Sequence, residues 1–353
     1  MISTTSIIVR NILNRIKNDL TPHSSVKLLI VWVSFTSFMP LAAQGVESNA
    51  FNTLNLNPMV QIFGLPSLTN QVLNSQGSFD IELEQQAANY HSRSSLKNES
   101  LKLDGETWRT NLTLTYGLTD DSTLSISTPY IRHSSGYMDE IIYNWHDTFG
   151  MPQGERTKET NNNIDLQYSV NGQKQVNISS PVSGIGDIRI KYSHKLPAFD
   201  RALILQSELK LPSGDVETLT GSGGTDLSVG LLIDDAISLK AQNINMWAGA
   251  AATYLGSADG ALSGEQKSLV WSARAGLGWF LNKSIVLKTQ LDSHSSVYNS
   301  DTIELGEPPL MLTIGGDYYF SPNHRLELSA VEDIVTEASP DITFSAKFSA
   351  KFD

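Results

Sequence analysis

The sequence predicts an all-β protein, a transmembrane antiparallel β-barrel of about 12 strands with an N-terminal periplasmic or lumenal segment. Three observations support this prediction: an export signal, apolar residues that alternate with polar ones, and connections that alternate between short and long. The 353 residues have a formal net charge of -12 and a mean hydropathy of -0.17. That hydropathy is too low for a bundle of membrane helices, but barrels have it because only every second strand residue meets lipid.

Composition excludes several classes of function. The chain has no cysteine, which rules out disulfides, thiolate metal sites and cysteine nucleophiles. A pI near 5.0 argues against a nucleic-acid partner, since phosphate binding needs clustered Lys and Arg. We predict no cofactor, and we assign no catalytic or metal-binding residue.

Residues 1–44 are predicted to be a signal peptide. A positive charge at Lys27 precedes an apolar run from Leu28 to Phe38, and the small residues Ala42 and Ala43 follow. A membrane-spanning helix needs about 20 apolar residues, so this run is too short to be one. The region before Val26 is unusually long. Either Val26 is the real first residue or the charged leader is extended, and the mature protein is the same in both cases.

Residues 45–76 precede the predicted barrel. This segment contains NPMVQIFGLPSL, which is too apolar for a free tail and too interrupted by Pro58, Gly64 and Pro66 for a spanning strand. Two interpretations remain open: a plug folded into the periplasmic mouth, or a periplasmic linker.

Residues 77–353 are predicted to form the barrel. From Ile342 to Phe352 the even-numbered residues are apolar and the odd-numbered ones polar, so one face of this strand meets lipid. Short turns, such as Thr119 to Asp121 and Asp234 to Ala236, alternate with longer loops, such as His91 to Asn98 and Ser134 to Ser183. Five turns and six loops join 12 strands. An even number places both strand termini in the periplasm, where they can pair and close the sheet.

Closure predicts charge pairs between the first and last strands. If the apolar residues of both strands face outward, their charged residues face the lumen across the seam. The predicted closure residues are Asp80, Glu82, Glu84, Lys347 and Lys351. A chance coincidence among many charges is the alternative.

Other charged residues share the inward parity of their strands. They are Arg109, Arg189, Lys191, Glu208, Lys210, Arg274, Lys288 and Asp292. Glu208 and Lys210 are expected to face Arg189 and Lys191 on the neighbouring strand. The set is either a constriction that selects a small solute or a packed lumen that conducts nothing.

The sequence contains the motifs NPMVQIFGLP (57–66), WHDTFGMPQGER (145–156), GIGDIRIKY (184–192), LKLPSGD (209–215), TGSGGTDLSVG (220–230) and VED (331–333). With these motifs the chain resembles a family of proteobacterial outer-membrane barrels catalogued as a domain of unknown function. The resemblance covers nearly the whole mature chain and implies the fold and the outer-membrane location, without a substrate. Such barrels usually end on an aromatic residue, whereas here Asp353 follows Phe352.

The leading function is passive transport or small-molecule binding. A structural or surface-interaction barrel with a plugged lumen is the second possibility. A lipid-active hydrolase is the third, because His133 with Ser135 and His294 with Ser296 place a base and a nucleophile on one strand face. Since passive transport or binding is the leading function, we predict that the protein is not an enzyme. Expected partners are outer-membrane lipid and lipopolysaccharide, the barrel assembly machinery and a small solute; the oligomeric state stays open.

Overall fold

The structure is a computed structural model that describes residues 48–72, 75–140, 144, 162–196, 201–334 and 337–352. The signal peptide and the 145–156 motif lie outside these residues. Within them no helix is long and apolar enough to cross a membrane. The strands of the described residues are β1 (Phe79–Ser95), β2 (Glu99–Thr119), β3 (Ser122–Ser134), β4 (Asp165–Val170), β5 (Gln173–Ile178), β6 (Val182–Ile185), β7 (Ile188–Leu196), β8 (Ala202–Leu211), β9 (Asp226–Asp235), β10 (Ile244–Tyr254), β11 (Leu269–Phe280), β12 (Ile285–His294), β13 (Leu310–Ser321), β14 (His324–Asp333) and β15 (Ile342–Phe352).

Twelve of these strands form a closed antiparallel barrel, which confirms the predicted architecture. Going round the barrel, β1 pairs with β2, β2 with β3 and β3 with β7, and β7 to β15 follow in sequence order. β15 then pairs with β1 from Phe79 opposite Phe352 to Asn89 opposite Ile342. Closure leaves no open sheet edge for lipid to meet.

Strand residues alternate between lumen and exterior. In β9, for example, Leu227, Val229, Leu231 and Ile233 are 46–49% exposed, and the residues between them are buried. Apolar side chains held at the surface of a closed barrel form the band that meets hydrocarbon. The protein is therefore an outer-membrane barrel. The end with the β2–β3 turn and both strand termini is periplasmic, and the end with the longer loops is external.

The predicted loop boundaries were wrong at the external end. The expected loop from His91 to Asn98 is mostly strand, because β1 runs to Ser95 and β2 begins at Glu99. The expected loop from Ser134 to Ser183 contains β4, β5 and the start of β6. β4 pairs with residues 99–104 of β2, so the sheet continues beyond the membrane band.

One periplasmic turn was also predicted too short. The expected turn from Asp234 to Ala236 begins inside β9, which continues to Asp235. The connection then includes a 3₁₀ turn at Lys240–Gln242 before β10.

Candidate functional site

The described part of the N-terminal segment, residues 48–72, lies inside the barrel and is called the lumenal segment below. Its residues are buried apart from Asn52, Leu54 and 69–71, which are half-buried. The segment forms no strand pairing, so its backbone polar groups need partners from the wall. Inward-facing side chains of the strands supply many of these partners.

The lumenal segment follows the length of the barrel and returns. Asn70 Nδ2 donates to Ser48 O (2.7 Å) and to Asp234 Oδ1 (3.0 Å), near the periplasmic end of β9. At the start of β9, near the external end, Asp226 Oδ2 accepts from Gly64 N at 2.7 Å. A Cβ on Gly64 would lie 2.8 Å from Asp226 Cβ, so the wall approaches too closely for any side chain there.

Arg274 on β11 binds both arms of this hairpin. Its Nη1 donates to Phe51 O (3.0 Å) on the outgoing arm and to Leu68 O (2.6 Å) on the returning arm. Ser67 Oγ accepts a further bond at 3.0 Å. Asp292, an inward residue on β12, lies 2.8 Å from Nη2 and balances the charge. Two of the predicted lumenal residues thus act together on the lumenal segment.

Arg189 on β7 holds the tip of the hairpin in the same way. Nη2 donates to Phe63 O at 2.9 Å, and Nη1 donates to Leu65 O at 3.0 Å and to Glu208 Oε1 at 3.2 Å. The Arg189–Glu208 ion pair is diagonal, because the strand register sets Arg189 opposite Lys210 and Lys191 opposite Glu208. Glu208 therefore bonds to Arg189 on the neighbouring strand, whereas Lys210 donates to Asp187, Ser222 and Gly224 instead.

Lys288 on β12 joins the lumenal segment to carboxylates of the wall. Its Nζ donates to Asn49 O (3.0 Å), Asp317 Oδ1 (3.1 Å) and Glu327 Oε2 (2.5 Å). The same ammonium lies 4.2 Å from the centroid of the Phe51 ring. The sequence reasoning missed both carboxylates, although their inward parity in β13 and β14 could have identified them.

Lys210 joins three glycine-rich motifs. Its Nζ lies 2.5 Å from Asp187 Oδ2 of GIGD and 3.3 Å from Asp226 Oδ2, and it donates to Ser222 Oγ at 2.6 Å. Asp187 also accepts from the backbone N–H of Gly214, in LPSGD. The sequence reasoning did not select the two aspartates as site residues, although the motifs that carry them had been singled out.

The tip of the lumenal segment packs into an apolar cluster at the external end. Met59, Val60, Ile62, Phe63 and Leu65 supply one side of this external cluster. Strand extensions and external loops supply most of the rest, including Leu101, Leu103, Leu166, Tyr168, Leu219, Leu262 and Tyr298.

Tyr298 anchors the external cluster. Its Oη donates to Met59 O at 2.8 Å, and its ring meets Phe63 edge to face, with centroids 5.6 Å apart. Burial, together with the nearby Tyr168, raises the pKa of the Tyr298 phenol well above its ordinary value. The phenol therefore stays protonated and donates at any physiological pH. The apolar contacts around it cover the tip of the lumenal segment at the external end of the barrel.

At the seam, the register places Asp80 opposite Lys351 and Glu84 opposite Lys347. Lys347 Nζ lies 3.1 Å from Glu327 and 4.0 Å from Glu82. The other two carboxylates bond to amides of the lumenal segment. Asn52 Nδ2 donates to Glu84 at 2.6 Å, and Gln71 Nε2 donates to Asp80 at 2.6 Å.

The predicted cations Arg109 and Lys191 are placed differently. Arg109 donates to Gln86 Oε1 at 3.2 Å, and within the described residues neither it nor Lys191 has a carboxylate oxygen within 4.0 Å. Both line a cavity between the lumenal segment and the wall formed by β1, β2, β3, β7, β8 and β15.

The two His-x-Ser pairs make other bonds. His133 Nδ1 bonds to Thr107 Oγ1 (2.9 Å), and its Nε2 lies 3.2 Å from Leu219 O. His294 Nε2 bonds to Asn55 of the lumenal segment at 3.1 Å, while Ser296 Oγ accepts from Lys267 Nζ. Both histidines are buried, on the inner side of the wall.

Comparisons with known proteins agree with this architecture. A family model described as "Protein of unknown function (DUF3187)" matches residues 27–352. No curated protein matches the chain. Among solved structures, the COG4313 outer membrane channel from Pseudomonas putida F1 is similar, with 13% identity, a TM-score of 0.54, and coverage of 82% of this chain and 98% of that one. The NanC porin has 10% identity, a TM-score of 0.43, and coverage of 78% and 99%.

Proposed function

Because the chain belongs to the DUF3187 family and forms an outer-membrane barrel, we propose that it is a passive channel for a small solute, with residues 45–76 as its plug. In this proposal the lumenal segment blocks the pore at rest, and its displacement opens the pore. The likeness to an outer membrane channel from Pseudomonas putida F1 concerns the fold. Contacts inside the barrel support a transport role.

The main support for this proposal is that cations of the wall bind the backbone of the lumenal segment. Arg189, Arg274 and Lys288 each donate to at least one of its carbonyl oxygens. A barrel that needs only a filled lumen can pair its wall charges with each other. Here the wall cations bind the lumenal segment instead. Hydrogen bonds to its carbonyl groups can break and form again, so the segment can leave the lumen and return.

The lumen also suits water once the segment leaves. The wall facing the segment carries Glu208, Gln206, Arg274, Lys288 and Gln290, all buried beneath it. An empty interior with these side chains would hydrate, as the polar interiors of porins do. By contrast, the apolar external cluster contains residues of the lumenal segment itself, so it would be dismantled by the same displacement.

Deleting residues 48–72 tests the proposal. Single-channel conductance in planar bilayers is expected to rise by roughly tenfold or more over the full chain, because a polar pore replaces a filled one. The matched control is Lys174→Gln in the external β4–β5 hairpin, which should conduct like the full chain. A deletion variant that inserts normally and stays as silent as the full chain would favour the second function, a structural or surface-interaction barrel.

The hydrolase alternative has less support. A general base must reach its nucleophile, but His133 and His294 bond to other groups and lie on the inner side of the wall, away from lipid. Lipid release that persists in both Ser135→Ala and Ser296→Ala would remove this mechanism. As partners we propose lipopolysaccharide and the barrel assembly machinery, alongside the membrane lipid that covers the apolar band.

A further inference from the structure

The cavity beside the lumenal segment is polar and lies in a defined part of the barrel. On one side it is lined by the lumenal segment, including Phe51, Leu54 and Thr69, and on the other by β1, β2, β3, β7, β8 and β15. Along β2 the lining residues run from Arg109 to Thr115, which lies four residues from the end of the strand. The cavity therefore extends from the region of the hairpin tip, where Arg189 lines it, toward the periplasmic end of the lumen.

The cavity has an excess of positive charge. Among its described lining residues, four cationic side chains stand against the two carboxylates Glu82 and Glu208. Glu208 is bonded to Arg189, and Glu82 lies 3.3 Å from Arg325. Arg109 and Lys191 are left without a carboxylate within 4.0 Å in the described part of the chain. Elsewhere in this lumen, Lys210, Arg274 and Lys288 each have a carboxylate oxygen within 4.0 Å. Arg109 and Lys191 differ from them in this respect.

Neutral hydrogen-bonding groups line the cavity beside Lys191. Ser125 is the register partner of Lys191 across β3 and β7, and Thr115 is the partner of Ser125 across β2 and β3. Both hydroxyls line the cavity. Hydroxyl groups can donate to an anion without adding a charge that would compete with it.

Asn111 completes the lining below Arg109. It is 5% exposed, its Nδ2 donates to Thr113 Oγ1 at 3.0 Å, and its Oδ1 has no hydrogen-bond partner. A buried amide oxygen without a partner is costly. Turning the amide by 180° lets Oδ1 accept from the Thr113 hydroxyl.

From these observations we infer that the cavity is a binding site for a small organic carboxylate, which pairs with the guanidinium of Arg109 or with the ammonium of Lys191. A guanidinium presents two parallel N–H groups to a carboxylate, and an ammonium adds a point charge. The cavity leaves about 70 Å³ open to water, which admits an anion of a few heavy atoms while the lumenal segment is in place. Leu54 and Phe51 offer an apolar surface for a short carbon body. The inference names the solute class of the proposed channel and rests on that proposal for its biological use.

Binding can be measured on the closed protein, independently of conductance. The probe is acetate, observed by saturation-transfer difference NMR with the purified full chain in deuterated detergent. A saturable acetate signal is expected. In Arg109→Gln/Lys191→Gln the dissociation constant should rise at least tenfold, while Lys174→Gln, which removes one exposed charge outside the barrel, should match the original chain.

A second variant tests the site even if the double substitution prevents folding. Ser125→Asp keeps both cations and places a fixed carboxylate opposite Lys191, so acetate binding should again weaken at least tenfold. Heat-modified migration in gels verifies that each variant is folded. Equal acetate binding in Ser125→Asp and the original chain would overturn the site. Equal binding of tetramethylammonium would overturn its anion preference, and displacement of acetate by much lower concentrations of inorganic phosphate would overturn the carboxylate assignment.

The two proposals fail separately. Loss of acetate binding in the variants together with a silent deletion of residues 48–72 would keep the site and reject the channel. A conducting deletion with unchanged acetate binding in every variant would keep the channel and reject the site.

Discussion

Lys210 and Asp187 form a buried ion pair, with Nζ 2.5 Å from Oδ2 and both side chains at most 4% exposed. Asp226 lies on the other side of the same ammonium and accepts from the backbone N–H of Gly64. The pair thus connects the ends of β7, β8 and β9 to the tip of the lumenal segment. Four segments of the chain that are separate in the sequence meet at this one point.

Replacing Lys210 by Met should destabilise the barrel strongly. The change leaves two buried carboxylates without their cation, and breaking a buried pair on one side costs about 3–5 kcal/mol. Urea unfolding in detergent, followed by tryptophan fluorescence, measures the free energy of unfolding. Lys174→Met removes an exposed lysine on β5 and should change stability by less than about 0.5 kcal/mol. If the two variants have similar free energies of unfolding, the ion pairs and hydrogen bonds of Lys210 do not stabilise the barrel.

Period-2 alternation was sufficient to predict the barrel because a membrane wall has two chemically opposite faces. The alternation in β15 assigned the inward parity of Lys347 and Lys351, and the same argument placed Arg274 and Lys288 inside. The external strand extensions escaped prediction because they lie beyond the lipid band. There, Leu101 and Leu103 are covered by other parts of the chain, so the simple alternation between lipid and lumen no longer applies.

The alternation of inward and outward residues could not predict which partner each inward-facing side chain binds. Strand neighbours reach each other diagonally as well as directly, so Arg189 bonds to Glu208 although Lys210 is its register partner. The lumenal segment also competes for the wall cations with its carbonyl groups, which are the same for every residue type. No side-chain pattern in residues 48–72 could therefore predict that Arg274 binds the backbone carbonyl groups of Phe51 and Leu68.

Arg274→Gln should loosen the lumenal segment. The variant loses the bonds that hold both arms of the hairpin and leaves Asp292 without its cation, at a cost of about 2–5 kcal/mol. The segment contains no Lys or Arg, so chymotrypsin, which cuts at Phe51 and Phe63, is the suitable probe. Faster cleavage within the segment is expected in this variant.

The control for this prediction is Arg201→Gln. Arg201 is 53% exposed and pairs with Asp235 at the periplasmic end, away from the segment. Its cleavage rate should equal that of the original chain. An unchanged rate in Arg274→Gln would show that the other wall contacts hold the segment without the arginine.

Tyr298→Phe should weaken the external cluster by a modest amount. The ring and its contact with Phe63 remain, but Met59 O loses its donor, which costs about 1–3 kcal/mol when the acceptor stays buried. Urea unfolding measures the change. Tyr254→Phe, which removes a hydroxyl from a side chain that is 60% exposed, should have almost no effect. Equal stability of the two variants would indicate that water reaches Met59 O in place of the phenol.

A disulfide between the lumenal segment and the wall tests whether displacement opens the pore. Thr53 Oγ1 and Thr313 Oγ1 lie 2.7 Å apart, and the chain has no cysteine to interfere. In the Arg274→Gln background, where the segment is expected to move, Thr53→Cys/Thr313→Cys should be silent in bilayers when oxidised and should conduct after reduction.

The matched control for this lock is Thr115→Cys/Ser125→Cys, in the same background. These hydroxyls lie 2.9 Å apart on β2 and β3, so their disulfide joins two wall strands without touching the segment. Conductance of the control should not depend on the redox state. If the oxidised Thr53–Thr313 variant conducts as well as its reduced form, ions pass the segment while it is fixed to β13. The cavity beside it, rather than its displacement, would then be the path.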